Sequence, residues 1–270
     1  MDGRLRVGLG VAAAVAALAV LWAPRSPARA DAEAPRVEPA RGVATTFPAA
    51  FGVRRVFVDA GHGAEDNRGA ASCFCADEQD YTLAAAERVA ARLAETGHFL
   101  VRLSREGDER VPYDARVRDA EAFGADAFVS LHFDVRGRSV RWSPAPGESC
   151  ALAFGGDGFA VLYGDEGDAG LAAARLGLAR ALATRLSAAG FSPYAEGYDD
   201  LYAPDAVAGV FVDRHAPGRR IFVLRRPSMP SVILETYNAL DPREVSRWSE
   251  LATLDAAADA LAAALVDALR

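Results

Sequence analysis

Short apolar segments that alternate with helical patterns constrain the fold of this 270-residue chain more than any other feature. Apolar runs of this length suit strands that are buried on both faces. The six predicted strands are 56–59, 99–103, 127–132, 159–163, 221–224 and 231–235. The alternation predicts a single α/β domain with a mostly parallel, six-stranded twisted sheet and helices on both of its faces.

Helices are expected between and after these strands. Gly97 follows the first helix and Gly124 ends the second, as is common after the last helical turn. The four predicted helices are 81–96, 112–124, 169–189 and 242–269. The segment 133–157 contains Pro, Gly and Cys150, and 191–219 is rich in Tyr, Asp, Pro and Gly. Both segments are predicted to be irregular. Long loops of this kind usually serve function.

The N-terminal residues predict export. Arg4 and Arg6 precede an uncharged apolar run over 7–22, and Ala28-Arg29-Ala30 has the form of a signal-peptidase site. The run is shorter than the roughly twenty residues that span a bilayer, so an uncleaved anchor is the less favoured alternative. We expect a protein of the periplasm or cell envelope with no stable membrane span in the mature chain. The expected divisions are a signal peptide over 1–30, a disordered linker or pro-segment over 31–52 and a folded domain over 53–270.

The charge of the chain excludes some classes of partner, and its cysteines predict a disulfide. The formal net charge is −7 and no basic cluster occurs, which argues against binding to nucleic acid or to an anionic membrane. Cys73, Cys75 and Cys150 are three cysteines in a chain predicted to be exported. A disulfide from Cys150 to either of the other two is expected. A bridge between Cys73 and Cys75 would strain the chain.

Four residues that can bind a metal or move a proton fall at strand ends or at the start of a helix. His62 lies between two glycines after the first strand, His132 ends the third, Glu235 ends the last, and Glu78 precedes the first helix. Glu78 alone could complement a helix dipole, and His132 could be a core histidine. Together, two imidazoles and a carboxylate at one sheet edge suit a catalytic zinc ion, with the fourth residue as general base.

The order and spacing of these motifs resemble the zinc-dependent N-acetylmuramoyl-L-alanine amidases of the amidase-3 family, the AmiC- and CwlV-like enzymes. The resemblance runs from Val56 to the C-terminus. Its matching motifs are Val58-Asp59-Ala60-Gly61-His62-Gly63, Glu78-Gln79-Asp80-Tyr81-Thr82-Leu83-Ala84, Tyr113-Asp114-Ala115-Arg116-Val117, Phe128-Val129-Ser130-Leu131-His132-Phe133-Asp134, Val223-Leu224-Arg225 and Val232-Ile233-Leu234-Glu235. It implies that His62, Glu78 and His132 bind one Zn²⁺ per chain and that Glu235 is catalytic.

Some positions differ from the family pattern. The family usually has proline at Ala60, a basic residue at Gln79, and Gly-Phe followed by Ser-Asn after the catalytic glutamate, where this chain reads Thr236-Tyr237-Asn238. These differences bear on substrate preference more than on the chemistry. The candidate substrate-binding residues are Arg225, Tyr237, Asn238 and His215.

The resemblance implies hydrolysis of the amide between N-acetylmuramic acid and L-alanine in peptidoglycan, during wall remodelling or the separation of daughter cells. Peptidoglycan is then the expected partner, and an activator protein is a second candidate partner. One alternative is a non-catalytic or partner-activated peptidoglycan-binding protein of the same fold. Another is a zinc amidohydrolase or peptidase that acts on a different acyl-amino acid, because a fold does not fix its substrate.

Overall fold

A central sheet of seven strands organises the protein, whose computed structural model describes residues 39–270. The predicted signal peptide and residues 31–38 lie outside the described residues. The strands of the central sheet are β1 (Arg54–Ala60), β2 (Phe99–Leu103), β3 (Ala127–Asp134), β6 (Ala160–Tyr163), β7 (Tyr202–Pro204), β8 (Val210–Asp213) and β9 (Ser231–Asn238). A separate hairpin consists of β4 (Val140–Trp142) and β5 (Cys150–Leu152).

The order across the sheet is β2-β1-β3-β9-β6-β8-β7. β2, β1, β3 and β9 run parallel to one another, whereas β6 is antiparallel to β9 and β7 is antiparallel to β8. The prediction of a mostly parallel α/β sheet is therefore confirmed, with seven strands in place of six.

Helices cover both faces of the sheet, as predicted. They are α1 (Glu78–Glu95), α2 (Tyr113–Phe123), α3 (Ala169–Ala188), α4 (Phe222–Arg225), α5 (Pro242–Trp248) and α6 (Leu251–Ala268). α1, α3 and α6 build the larger core on one face, and α2 and α4 pack on the other. The alanine-rich α6 is buried along most of its length because it packs against both α1 and α3. No helix in the described part of the chain is long and apolar enough to cross a membrane.

Several predicted elements were wrong. The segment 221–224 is the short helix α4 and not a strand. The segment 191–219 contains the strands β7 and β8, and 133–157 contains the β4–β5 hairpin. The last predicted helix is two helices, because Ser249 ends α5 and Glu250 precedes α6.

Part of the predicted disordered linker packs on the domain. The ring of Phe47 stacks on His98 with 4.0 Å between ring centroids, and Phe51 is buried in the larger core. The backbone N–H of Arg41 donates to the carbonyl of Ala189 over 2.9 Å. The packed chain therefore begins before residue 53.

Three adjacent parallel strands position the residues predicted to carry the chemistry. The carboxyl ends of β1, β3 and β9 meet at one edge of the sheet, which is where ligands bind in open α/β folds. The backbone register pairs Asp59 with Ser130 and His132 with Glu235. The fold thus brings the ends of distant sequence segments together.

Candidate metal centre

His62 lies in a turn whose backbone is held in an uncommon conformation. The φ angle of His62 is 62°, in the left-handed region that few residues other than glycine adopt. Arg105 donates to the carbonyls of Ala60 and Gly61 over 3.2 and 3.1 Å. Arg116 donates to the carbonyl of Ala60 over 2.7 Å and to that of His62. Two buried guanidinium groups therefore stabilise the turn that presents His62.

Glu78, the first residue of α1, connects the two histidines. Its side chain is buried, with Oε1 2.8 Å from Nδ1 of His132 and Oε2 3.1 Å from Nε2 of His62. The backbone N–H of Ala70 also donates to Oε2 over 2.9 Å. Potential ligand atoms of His62, Glu78 and His132 all lie within 4.8 Å of one another. Two nitrogen donors and one oxygen donor at this spacing can hold one metal ion.

A chain of hydrogen bonds orients the ring of His132. Its Nε2 lies 3.2 Å from the hydroxyl of Ser130, which donates to a carboxylate oxygen of Asp59 over 2.6 Å. Asp59 in turn forms a buried ion pair with Arg116. Ligand histidines typically use their second ring nitrogen in this way, which leaves Nδ1 of His132 directed toward Glu78 and available to a metal.

Charge in this cluster is balanced by the two imidazoles. Burial alone would raise the pKa of Glu78, but hydrogen bonds from His132 and His62 outweigh it and lower the pKa to about 2. Burial lowers the pKa of each histidine, but the contacts with Glu78 outweigh it and raise both pKa values above the ordinary 6.5. Without a metal, the three side chains therefore favour protonated imidazoles around the ionised carboxylate of Glu78. A divalent cation would take the place of the positive charge on the imidazoles.

Glu235 faces this cluster from the neighbouring strand β9. Burial raises its pKa to about 8, and the positive charge on His132 offsets only part of that effect. Its Oε2 is buried and accepts no hydrogen bond from any of the residues 39–270. A carboxyl with a buried, unpaired oxygen beside a metal-binding cluster is suited to taking up and releasing a proton.

These residues line one cavity of about 550 Å³. The larger part of its exposed lining is apolar, and its polar groups come from strand ends, helices and a loop. Besides the cluster and Glu235, the lining includes Asp59, Gly61, Gly69, Tyr113, Arg116, Asp134, Val135, Arg219, Arg220 and Phe222.

Two glycines leave room for the cluster. A Cβ on Gly61 would lie 2.5 Å from Nε2 of His132. A Cβ on Gly69, where φ is +78°, would lie 2.6 Å from Oε2 of Glu78 and 2.6 Å from Cδ2 of His62. Any larger side chain at either position would push a candidate ligand away from the others.

The four residues predicted to bind substrate do not line the cavity. Arg225 donates to the carbonyl of Arg220, and His215 pairs with the buried carboxylate of Asp213. Tyr237 is buried, with its ring edge-on to Tyr81 and stacked on Trp248. Asn238 is also buried, and its amide bonds the backbone of Arg136 and the carbonyl of Gly155. All four have structural partners that hold them away from the cavity.

Several residues of the site were not identified from the sequence. Arg116 and Ser130 lie inside motifs that carry the family resemblance, so the sequence alone could have indicated that they belong to the site. Arg105 and Arg219 lie outside every such motif, and only the folded chain shows that they contact the turn and the cavity.

A disulfide joins the chain before Glu78 to the β4–β5 hairpin. It links Cys75 to Cys150, one of the two pairings expected for Cys150. Cys73 is a buried free thiol, and burial raises its pKa to about 11. The indole N–H of Trp142 donates to the carbonyl of Cys73 over 2.6 Å. The hairpin is thus fixed to the segment that leads into the cluster.

Comparison with known proteins agrees with this geometry. The family model described as Amidase_3, N-acetylmuramoyl-L-alanine amidase, matches residues 56–267. The chain is similar to the N-acetylmuramoyl-L-alanine amidase AmiC of Escherichia coli O6:H1, with 35% identity over 79 residues. That match covers 29% of this chain and only 19% of AmiC.

Two solved structures share the fold over most of the chain. AmiC2 of Nostoc punctiforme is 25% identical with a TM-score of 0.56, and the match covers 78% of this chain and 94% of AmiC2. Ami1 of Mycobacterium smegmatis is 22% identical with a TM-score of 0.63, and the match covers 81% of this chain and 98% of Ami1. With the family model covering most of its length, the chain belongs to the Amidase_3 family of N-acetylmuramoyl-L-alanine amidases.

Proposed function

We propose that this protein is a zinc-dependent hydrolase that cleaves the amide between N-acetylmuramic acid and L-alanine in peptidoglycan. The observation that carries the proposal is the convergence of His62, Glu78 and His132, with the unpaired carboxyl of Glu235 on the adjacent strand. Membership of the Amidase_3 family and the likeness to AmiC and AmiC2 support the choice of bond.

The donor set fits Zn²⁺. Catalytic zinc sites use three protein ligands of the nitrogen and oxygen type and keep one position for water or substrate. His62, Glu78 and His132 would hold the ion. When bound, it would supply polarisation of the scissile carbonyl and a lowered pKa for a water molecule, toward about 7.

The protein's own residues would handle the proton. Glu235 borders the same cavity, and its raised pKa of about 8 matches a group that exchanges protons near neutral pH. It would accept a proton from the attacking water and deliver it to the nitrogen of the departing L-alanine. Asp59 and Ser130 would hold His132 in the tautomer that leaves Nδ1 free.

The non-catalytic alternative differs from this proposal in the role of Glu235, and the other alternative differs in the substrate. In a non-catalytic peptidoglycan-binding protein, the metal could serve structure alone, and Glu235 would need a hydrogen-bond partner to lower the cost of its burial. No residue of the described chain donates to its Oε2, which favours catalysis. A zinc amidohydrolase for another acyl-amino acid would share this site and differ only in substrate.

Location and organisation follow from the same proposal. A substrate in the cell wall requires export, which agrees with the signal peptide inferred over 1–30 and a catalytic domain over 53–270. The activator protein inferred from the resemblance stays a prediction, and its need would appear as low activity of the purified mature chain.

The bond that is cleaved can be identified directly. Purified peptidoglycan is incubated with the zinc-loaded mature protein, and the soluble products are separated by mass. The proposal predicts peptides with a free N-terminal L-alanine and glycan chains that keep their lactyl groups. Products that still join muramic acid to L-alanine would refute the proposed bond.

A further inference from the structure

One arginine on the cavity wall lacks an ionic partner. Three arginines line the cavity, namely Arg116, Arg219 and Arg220. Arg116 pairs with the buried carboxylate of Asp59. Arg219 is exposed, and no acidic side chain within residues 39–270 forms an ion pair with it. Its charge is therefore available to a ligand in the cavity.

Arg219 differs in this respect from the two other arginines of the loop between Asp213 and Ile221. Arg220 contacts Asp165 at 2.6 Å and Glu166 at 3.3 Å, and Arg214 contacts the same Asp165 at 2.6 Å. The loop thus neutralises two of its three arginines with acids from the segment after β6. Arg219 and Arg220 both border the cavity, and of these two only Arg220 is neutralised by an acidic side chain of the described residues.

The loop that carries Arg219 is anchored at both ends. The backbone N–H groups of His215 and Ile221 donate to the carboxylate of Asp213 over 2.9 and 2.7 Å. Between them, the N–H of Arg219 donates to the carbonyl of Ala216 over 2.9 Å, in a turn where the φ angle of Gly218 is +83°. These bonds fix the backbone at Arg219 while its guanidinium stays free to bind.

The charges around the cavity indicate which group of a ligand Arg219 can bind. Glu78 and Glu235 lie at the metal-binding end, and the carboxylate of Asp134 already accepts hydrogen bonds from Arg136 and Tyr198. A carboxylate on the substrate is attracted by Arg219, whose charge no acidic side chain of residues 39–270 neutralises. An arginine can bind a carboxylate through two parallel hydrogen bonds.

We propose that Arg219 binds a carboxylate of the peptide part of the substrate and so makes the enzyme prefer acidic wall peptides. The inference rests on the proposed amidase function and adds a specificity-determining residue to it. The carboxylate chosen for the test is the one nearest the scissile amide on its leaving-peptide side. The same peptide with a carboxamide at that position loses the charge and half of the acceptor oxygens.

Two probes that differ only in this group test the inference. They are N-acetylmuramoyl-L-alanyl-D-glutamate and the same compound with its α-carboxylate replaced by a carboxamide. The zinc-loaded wild type is expected to show a kcat/KM about tenfold higher for the carboxylate, mainly through KM, since the contact is a partly exposed charge-assisted hydrogen bond. Arg219→Ala should reduce this ratio to about one, mainly by raising KM for the carboxylate probe.

Two further variants separate charge from structure. Arg219→Lys keeps the positive charge but lacks the two parallel N–H donors of the guanidinium. It should therefore keep a preference of about threefold for the carboxylate probe. Arg226→Ala removes an exposed arginine that lies 5.7 Å from the ring of Phe222 and outside the cavity lining, so it should keep the full preference. The preference of the wild type should also fall as salt is added.

The outcomes distinguish this inference from the function on which it rests. Equal hydrolysis of both probes by the wild type, or an unchanged preference in Arg219→Ala, would refute the role of Arg219 while the amidase activity stands. Failure of the zinc-loaded wild type to cleave the amide in either probe and in purified peptidoglycan would overturn the proposed function, and this inference with it.

Discussion

The hydroxyl of Ser130 donates a 2.6 Å hydrogen bond to the buried carboxylate of Asp59 and lies 3.2 Å from Nε2 of His132. The two residues sit opposite each other on β3 and β1. This pairing connects the orientation of a candidate metal ligand to an ion pair in the core. It explains how a histidine at the end of a strand is held for metal binding before any metal arrives.

Removing the Ser130 hydroxyl is therefore expected to weaken metal binding. Ser130→Ala leaves Asp59 paired with Arg116 but takes away the partner of His132 Nε2. We expect a 10- to 100-fold higher Kd for Zn²⁺, as is typical for loss of a partner behind a ligand histidine. A competition titration with a chromophoric chelator measures it. Ser104→Ala is the control, because Ser104 accepts from Ala60 N–H without contacting His132. Equal weakening in both variants would contradict a specific role for Ser130.

A methyl group at Gly61 should displace His132. The new Cβ would lie 2.8 Å from Nδ1 of that ring, well inside van der Waals contact. We expect Gly61→Ala to weaken zinc binding at least tenfold while the far-ultraviolet circular dichroism stays that of the folded protein. Gly177→Ala lies on α3 with open space around its Cβ and should leave zinc affinity unchanged. A zinc affinity of Gly61→Ala equal to that of the wild type would show that zinc binding does not depend on the present position of His132.

The pH dependence of stability follows from the histidine cluster. The raised pKa values of His62 and His132 mean that their contribution to the metal-free protein is complete below about pH 6.5 and is lost as the pH rises through the raised values. Protonated imidazoles cannot bind a metal. The Tm of the metal-free protein should fall between pH 6 and pH 8, and the gain in Tm on adding zinc should grow over the same range.

Glu78→Gln provides the control for that measurement. The variant removes the charge that raises both histidine pKa values, so its metal-free Tm should depend less on pH between 6 and 8. Burial raises the pKa of Glu235 to about 8, so this residue lowers stability as the pH rises. The effect is the same in the wild type and in Glu78→Gln. A zinc-induced gain in Tm of the wild type that is equal at pH 6 and pH 8 would argue against competition between protons and metal.

The disulfide is expected to stabilise the fold. Cys75 and Cys150 are 75 residues apart, and a disulfide typically contributes about 2–4 kcal/mol to the free energy of unfolding. Urea denaturation should show that loss for Cys150→Ser. Dithiothreitol should destabilise the wild type and leave Cys150→Ser unaffected. A wild type that is insensitive to dithiothreitol, although chemical analysis shows the bond reduced, would contradict the prediction.

Strongly patterned segments of the fold could be predicted from the sequence. The apolar runs of β1, β3 and β9 and the strand ends that carry His62, His132 and Glu235 follow from residue pattern and chain order. Their proximity follows as well, because parallel strands end at a common sheet edge.

Other elements could not be predicted, for identifiable reasons. Ile221-Phe222-Val223-Leu224 is a four-residue apolar run that suits a strand or a buried helical turn, and packing against α2 and β9 decides for the helix. Val210-Phe211-Val212 forms β8, but it lies in a Gly- and Asp-rich segment that resembles a loop. Arg225 was predicted at the site and Arg219 was not, because the path of the loop decides which side chain borders the cavity.

The central claim is that three residues hold a metal and a fourth moves the proton. Metal content and peptidoglycan hydrolysis of the wild type, Glu235→Gln and His132→Ala test it together. We predict one zinc per chain in the wild type and in Glu235→Gln. Hydrolysis by Glu235→Gln should fall about 10²- to 10⁴-fold, as expected for loss of a general base. His132→Ala should lose both zinc and activity. Near wild-type hydrolysis by Glu235→Gln with zinc bound would contradict the account.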